Sequence, residues 1–274
     1  MNANPLKQYF RSPEIYLKLP SGGKFYPAGS IDLPDNQELP IYPMTAIDEI
    51  TSKTPDALFN GTAVVDIIKS CVPNIIDPWS IPIIDLDPIL VAIRAASNGT
   101  TLDIESQCPS CNEEASYGIN LIGLLSSLTA GNYNEVVKVN ELTFKFTPFS
   151  YKKINNINMA QFEIEQAIRK LDNITDDDAR QAESGIVLKR LNNLSMELIS
   201  ESIESITTPT AIVNEKEYIL DFLQNCDRKS FELLRTTAVQ LRESSQLKPL
   251  DVKCIHCSHD YQQKLTLNVS DFFA

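Results

Sequence analysis

Four of the six cysteines in this chain of 274 residues stand as two matched pairs, Cys108-Pro109-Ser110-Cys111 and Cys254-Ile255-His256-Cys257. At this cysteine content chance supplies roughly 0.1 such CxxC pairs, so two together carry information. In each pair the chain bends back until both thiolates reach one ion. Two pairs complete a tetrahedral site of the kind zinc takes, near 2.3 Å per Zn–S bond. The expected ligands are Cys108, Cys111, Cys254 and Cys257, holding one structural zinc per chain and leaving no position open for water. His256 and His259 lie in the second knuckle, and either could stand in for a cysteine. A thioredoxin-like redox site fits poorly, because neither CxxC opens a long helix after a strand.

Such a site needs elements that bring the pairs together. Leu102-Asp103-Ile104 leads into the first pair and Leu250-Asp251-Val252 into the second. Ser116 to Leu121 and Gln262 to Val269 read as return strands, so each pair sits at the tip of a strand–knuckle–strand unit. Residues 112–253, 142 in number, separate the inner cysteines, against about 15–20 in a compact ribbon. The expected fold is therefore α+β. A zinc-ribbon-like pair of knuckles is closed by the C-terminus, with a β-hairpin and an α-helical insertion between them and an extended N-terminal arm ahead. The boundaries read as an arm over 1–43, a small helical region over 44–101, a discontinuous ribbon over 102–121 and 250–270, a hairpin over 135–151 and helices over 153–247. Strands near 104 and 252 should then lie side by side.

The arm is rich in proline, has a short strand around Tyr16 to Leu19 and turns at Ser21-Gly22-Gly23-Lys24. That turn lacks the spacing and the Ser/Thr of a phosphate loop. Its aromatic residues Tyr9, Phe10, Tyr16, Phe25 and Tyr26 make it a candidate partner-binding segment, with packing on its own helices as the alternative. Thr45, Thr51 and Thr54-Pro55 are helix-start signals. Ala63, Val64, Ile67, Ile68 and Cys71 form a stripe stopped at Val72-Pro73, on which Cys71 reads as a small core residue. Asp87-Pro88 opens a helix carrying Ile89, Leu90, Ile93 and Ala96, ended by Asn98-Gly99. Val137, Val139, Leu142, Phe144 and Phe146 alternate about an Asn140-Glu141 turn. Ile154, Ile157, Ile164 and Ile168 make one helical stripe. Thr175 before three aspartates caps the next, which carries Val187, Leu191, Leu194 and Leu198. Tyr218, Phe222, Phe231, Leu234 and Leu241 are expected to face inward from a last pair of helices. Arg228, Lys229, Arg235 and Arg242 read as a solvated basic face.

No catalytic set is visible. The HExxH, Walker and GxSxG patterns are missing, and the only two histidines lie in the knuckle, so the protein is expected not to be an enzyme. With 36 acidic against 24 basic residues the formal charge is −12, which argues against duplex nucleic acid as a partner. No run of eighteen apolar residues suggests a membrane span. The first ten residues lack the pattern of a signal peptide, so a reducing cytosol is expected, where paired cysteines bind metal rather than each other.

Longer stretches carry a resemblance. They include Pro5-Leu-Lys-Gln-Tyr-Phe10, Leu19-Pro-Ser-Gly-Gly-Lys-Phe-Tyr-Pro27, Tyr42-Pro-Met-Thr-Ala-Ile-Asp-Glu-Ile50, Thr54-Pro-Asp-Ala-Leu-Phe-Asn-Gly61 and Ser70-Cys-Val-Pro73. Ile93-Arg-Ala-Ala96, the first CxxC, Asn225-Cys-Asp-Arg-Lys229 and Asp271-Phe-Phe273 continue it. Together they resemble the baseplate hub and hub-assembly family of T-even-like contractile-tail bacteriophages. The resemblance implies a late protein that builds the tail's baseplate hub by contacts with other baseplate, hub or tail proteins, without being an enzyme. It allows a homo-oligomer by symmetry, and it places the protein in the host cytoplasm during assembly, with the virion baseplate as the other location. A zinc-ribbon module acting on nucleic acid or the transcription machinery is the alternative. Against it, the ribbon strands carry Asp103, Glu105, Glu113 and Glu114 beside only Lys253 and Lys264.

Overall fold

The computed structural model describes residues 5–54, 60–171 and 176–263. The chain divides into two compact units, residues 1–129 with 246–274 and residues 130–245. The architecture is mixed α+β with small antiparallel sheets.

The first unit is built around one helix. Strands β1 (Ile15–Lys18) and β2 (Glu38–Ile41) pair antiparallel, with Leu17 opposite Leu39. Helices α1 (Ala46–Ser52) and α2 (Thr62–Cys71) follow, then α3 (Ile83–Asn98). On α2, Ala63, Ile67, Ile68 and Cys71 are fully buried, which places Cys71 in the core. Helix α3 is apolar nearly all round, with Ile84, Leu86, Ile89, Leu90, Val91, Ala92 and Ile93 buried, as befits a central helix. It starts at Ile83, after Pro82, and not at Asp87-Pro88; Pro88 lies inside it. An interior proline costs a helix about 3 kcal/mol, and burial of the surrounding Ile and Leu side chains outweighs that. The far end falls as expected, at Gly99 with φ +91.

The paired strands of the arm contribute to the core. Leu17, Leu19, Leu39 and Ile41 are buried. Ser21 donates its backbone N–H (2.9 Å) and its hydroxyl to the two oxygens of Asp85 on α3. Arg11 donates to the Pro43 carbonyl, to the Ser70 carbonyl at 2.7 Å and to the Ser70 hydroxyl at 2.8 Å. Thr45 caps α1 in a reciprocal box with Asp48, which satisfies donors the helix cannot pair itself. The start signal at Thr54-Pro55 runs into residues outside those described. Leu6, Tyr9, Phe10 and Tyr16 point outward, whereas Phe25 and Tyr26 are half-buried.

Strands β3 (Thr101–Gln107) and β4 (Glu114–Asn120) form a hairpin, followed by helix α4 (Leu121–Ser127). In the second unit β5 (Val136–Val139) and β6 (Leu142–Phe146) turn at Asn140, whose φ of +56 is a left-handed conformation asparagine tolerates. The long helices α5 (Tyr151–Leu171) and α6 (Asp177–Ser202) come next. Asp176 caps α6, its carboxylate accepting from Ala179 N at 3.0 Å, one residue after the expected Thr175, which is outside the described residues.

The segment read as wholly helical also contains β7 (Ile203–Thr207) and β8 (Ile212–Val213). They extend the hairpin into a four-stranded sheet, β5-β6-β7-β8, with Phe144, Phe146, Ile203 and Ile206 buried. Helices α7 (Lys216–Asn225) and α8 (Arg228–Ser244) close the unit. On α7 it is Ile219 and Leu223 that are buried, and Tyr218 is exposed, contrary to expectation. Tyr218 lies one position off the inward stripe, which the short helix sets through Ile219. The chain then re-enters the first unit through β9 (Leu250–Lys253) and β10 (Asp260–Gln263). The later part of the expected strand, through Val269, lies outside the described residues.

Candidate metal centre

The two cysteine pairs sit at the tips of two separate hairpins, β3-β4 and β9-β10. Strands near 104 and 252 are not ladder partners; each pairs only within its own hairpin. The hairpins meet through side chains instead. Ser106 on β3 donates its hydroxyl to Gln263 Oε1 at 2.7 Å and lies 2.9 Å from the Tyr261 hydroxyl, both on β10. Burial and the neighbouring Tyr261 hydroxyl push the Tyr117 phenol up to about 12.

At the tips the two knuckles repeat one another. Cys108 N donates to the Glu113 carbonyl at 3.0 Å, and Cys254 N to the His259 carbonyl at 2.9 Å. Asn112 N and Ser258 N each donate to the carbonyl of the first cysteine of their pair at 2.9 Å. Ser110 N and His256 N each point at the first sulfur, at 3.4 Å. Asn112 and Ser258 both adopt φ +60, which turns the chain back after the second cysteine. Two loops with unlike residues share every one of these features. Backbone N–H donors aimed at sulfur favour thiolate over thiol. The N–H groups of Cys257 and His256 accordingly outweigh the burial that opposes them and pull the Cys254 thiol down to about 6.

The structure brings Cys108, Cys111, Cys254 and Cys257 together, their sulfurs all within 4.8 Å of one another. Cys108 Sγ lies 3.7 Å from Cys257 Sγ, and Cys111 Sγ lies 3.7 Å from Cys254 Sγ. A disulfide needs about 2.05 Å. A tetrahedron with bonds of about 2.3 Å has edges of about 3.8 Å, which the two 3.7 Å separations match and the 4.8 Å bound on the other pairs allows. Cys108 and Cys254 are buried, Cys111 is half-buried and Cys257 is exposed. Neither histidine joins the cluster among the described residues; the His259 ring stacks on Tyr261 at 6.4 Å. The donor set could hold a metal. Ser106, Tyr117 and Tyr261, which tie the hairpins below it, carry no pattern that sequence reasoning could have used.

A family model described as T4 bacteriophage base plate protein matches residues 12–274, nearly the whole chain. The chain belongs to that family. No curated protein and no solved structure matches it. It is thus a phage baseplate protein, a component class of the virion tail that associates with other tail and baseplate proteins. No helix among the described residues is long and apolar enough to cross a membrane.

Proposed function

We propose that this baseplate protein is a non-enzymatic subunit or assembly factor of the baseplate hub, and that one structural zinc on Cys108, Cys111, Cys254 and Cys257 holds its ribbon together. The observation that carries the reading is the cluster of four cysteine sulfurs, all within 4.8 Å of one another, in a chain matched over nearly its whole length by a baseplate family. All four donors come from protein, so the ion has no position from which to activate water or substrate. Its part would be mechanical: it ties Cys111 to Cys254 and so joins two hairpins of the first unit that are far apart in sequence.

Work by contact suits the surface. Tyr9, Phe10 and Tyr16 of the arm are each more than 60% exposed, as are Ile47 and Ile50 on α1. Large aromatic and aliphatic side chains left in water are typical of surfaces that a partner covers. The faces of the two hairpins expose Asp103, Glu105, Glu113, Glu114, Asp251 and Asp260, which repel a phosphate backbone and favour a protein partner over nucleic acid.

The test is a phage lacking the protein, examined by electron microscopy together with quantitative mass spectrometry of particles and assembly intermediates. Heads and sheath protein should be made while completed baseplates are missing, leaving free heads. Normal tails with a failure of DNA replication or late transcription would contradict the reading.

A further inference from the structure

The basic residues Arg228, Lys229, Arg235 and Arg242, read from sequence as a solvated face, are all exposed, and two of them also border a cleft. On α8, Arg235, Ala238, Val239 and Arg242 follow at i, i+3, i+4 and i+7, which puts them on one stripe of the helix. On α6, Ser195, Leu198, Ile199 and Ser202 repeat the same spacing. Together with Phe149 the two stripes line an open cleft of about 200 Å³ within the second unit. Its middle is apolar, formed by Phe149, Leu198, Ile199, Ala238 and Val239, and its α8 wall ends in an arginine above and below. No carboxylate is among the lining residues, although the chain as a whole carries −12. Arg242 forms no salt bridge among the described residues, whereas Arg235 donates from Nε and Nη2 to Glu232 at 3.1 and 2.9 Å.

We propose that this cleft binds an acidic, apolar segment of a partner protein. One aromatic or branched side chain would enter the apolar middle, where Val239 is still 38% exposed. Carboxylates on either side of it would meet Arg242 and Arg235. Seven residues of helix separate the two arginines by about 10.5 Å; on one face of an extended peptide side chains recur every two residues, so positions four apart, about 14 Å, match that span within the reach of two arginine side chains. Arg242 can take a carboxylate in paired hydrogen bonds, Arg235 offers the Nη1 that Glu232 leaves over, and a half-dehydrated apolar floor beside them strengthens these contacts. The pattern expected in the partner is therefore an apolar residue with an acidic one two positions to either side. A nucleic acid would need more cations and an open stacking surface, which this cleft does not offer. The proposal is independent of the metal site.

The test uses the purified full-length chain as bait for a library of displayed random heptapeptides. The strongest binder is then made with a fluorescent label and titrated by polarisation. Enriched peptides should carry an apolar residue with Asp or Glu two positions to either side. Binding should weaken at least tenfold in Arg242→Glu and with rising salt, while Lys248→Glu, outside the cleft, should bind as the parent does. Circular dichroism of Arg242→Glu should be unchanged, since its side chain is exposed. Enrichment of basic or uncharged peptides, no enrichment, or equal binding to Arg242→Glu would overturn the proposal. A binder displaced by a fatty acid but lacking acidic residues would overturn it as well, in favour of a small amphiphile.

Discussion

The ribbon and the helical core lie in the same unit and differ in what they bury. Around α2 and α3 the largest fully buried side chains include Ile67, Ile68, Ile81, Ile89 and Ile93. Burial on that scale, about 1.5–3 kcal/mol per large side chain, is enough to order the segments that supply it. The two hairpins bury Ser106, Cys108, Val252 and Cys254, of which Val252 is the only aliphatic one. Two-stranded hairpins are marginal on their own, and these two share no backbone ladder. What the core gains from apolar area, the ribbon would obtain, on the proposed reading, from an ion held by four sulfurs. The difference also shows in chain distance: the core helices are neighbours in sequence, whereas the knuckles are 142 residues apart and must be held against the entropy of that loop.

Breaking one sulfur should therefore do more than breaking any core contact. Structural zinc supplies on the order of 10 kcal/mol of apparent folding free energy. Cys257→Ser should release the metal and disorder both hairpins, seen as loss of amide protection in β3, β4, β9 and β10, while α2 and α3 keep theirs. Uniform protection across the unit would remove the contrast. Ile89→Ala, at a fully buried site on α3, should cost about 2–5 kcal/mol in denaturant unfolding and leave zinc content unchanged.

The two regions should also answer pH with opposite sign. Burial pushes the Asp85 carboxyl up to about 6, despite the Ser21 hydrogen bonds that favour its charged form. Its folded-state value is thus above the unfolded one, near 3.8. The contribution is fully present below about pH 4 and is lost as pH rises through 6, by about 3 kcal/mol at most. The ribbon needs thiolates, so metal binding there strengthens as pH rises. Burial pushes Asp87 on the same helix up to about 6 as well, so Asp85→Asn should remove about half of the pH dependence of core unfolding between 4 and 7 and leave that of metal affinity unaltered. Ser106→Ala should give the smallest effect, about 1 kcal/mol, confined to the hairpin contact with Tyr261 and Gln263.

The same contrast explains what was legible in the sequence. The knuckles could be read because a cysteine pair must be local: two residues between sulfurs fix the bend, and the strands flanking it alternate. The turn at Asn140 and the capping residue Thr45 are local in the same sense. Strands β7 and β8 were not legible. Ile203 to Thr207 follows α6 with no turn residue between, and only the edge of β6 draws it into a sheet. Pro88 misplaced the start of α3 because the local rule for proline yields there to burial. Tyr261 and Ser106 gave no signal, since each matters only through a partner about 150 residues away. The Arg235 and Arg242 cleft was hidden for the same reason: its apolar half comes from α6.

The most direct test of the account is the metal content of the full-length protein, purified without added metal and measured by elemental mass spectrometry alongside amino-acid analysis. The account predicts one zinc per chain in the parent and none in a Cys108→Ser, Cys257→Ser double variant. A parent protein that is monodisperse, with β3-β4 and β9-β10 protected from exchange and no stoichiometric metal bound, would contradict it.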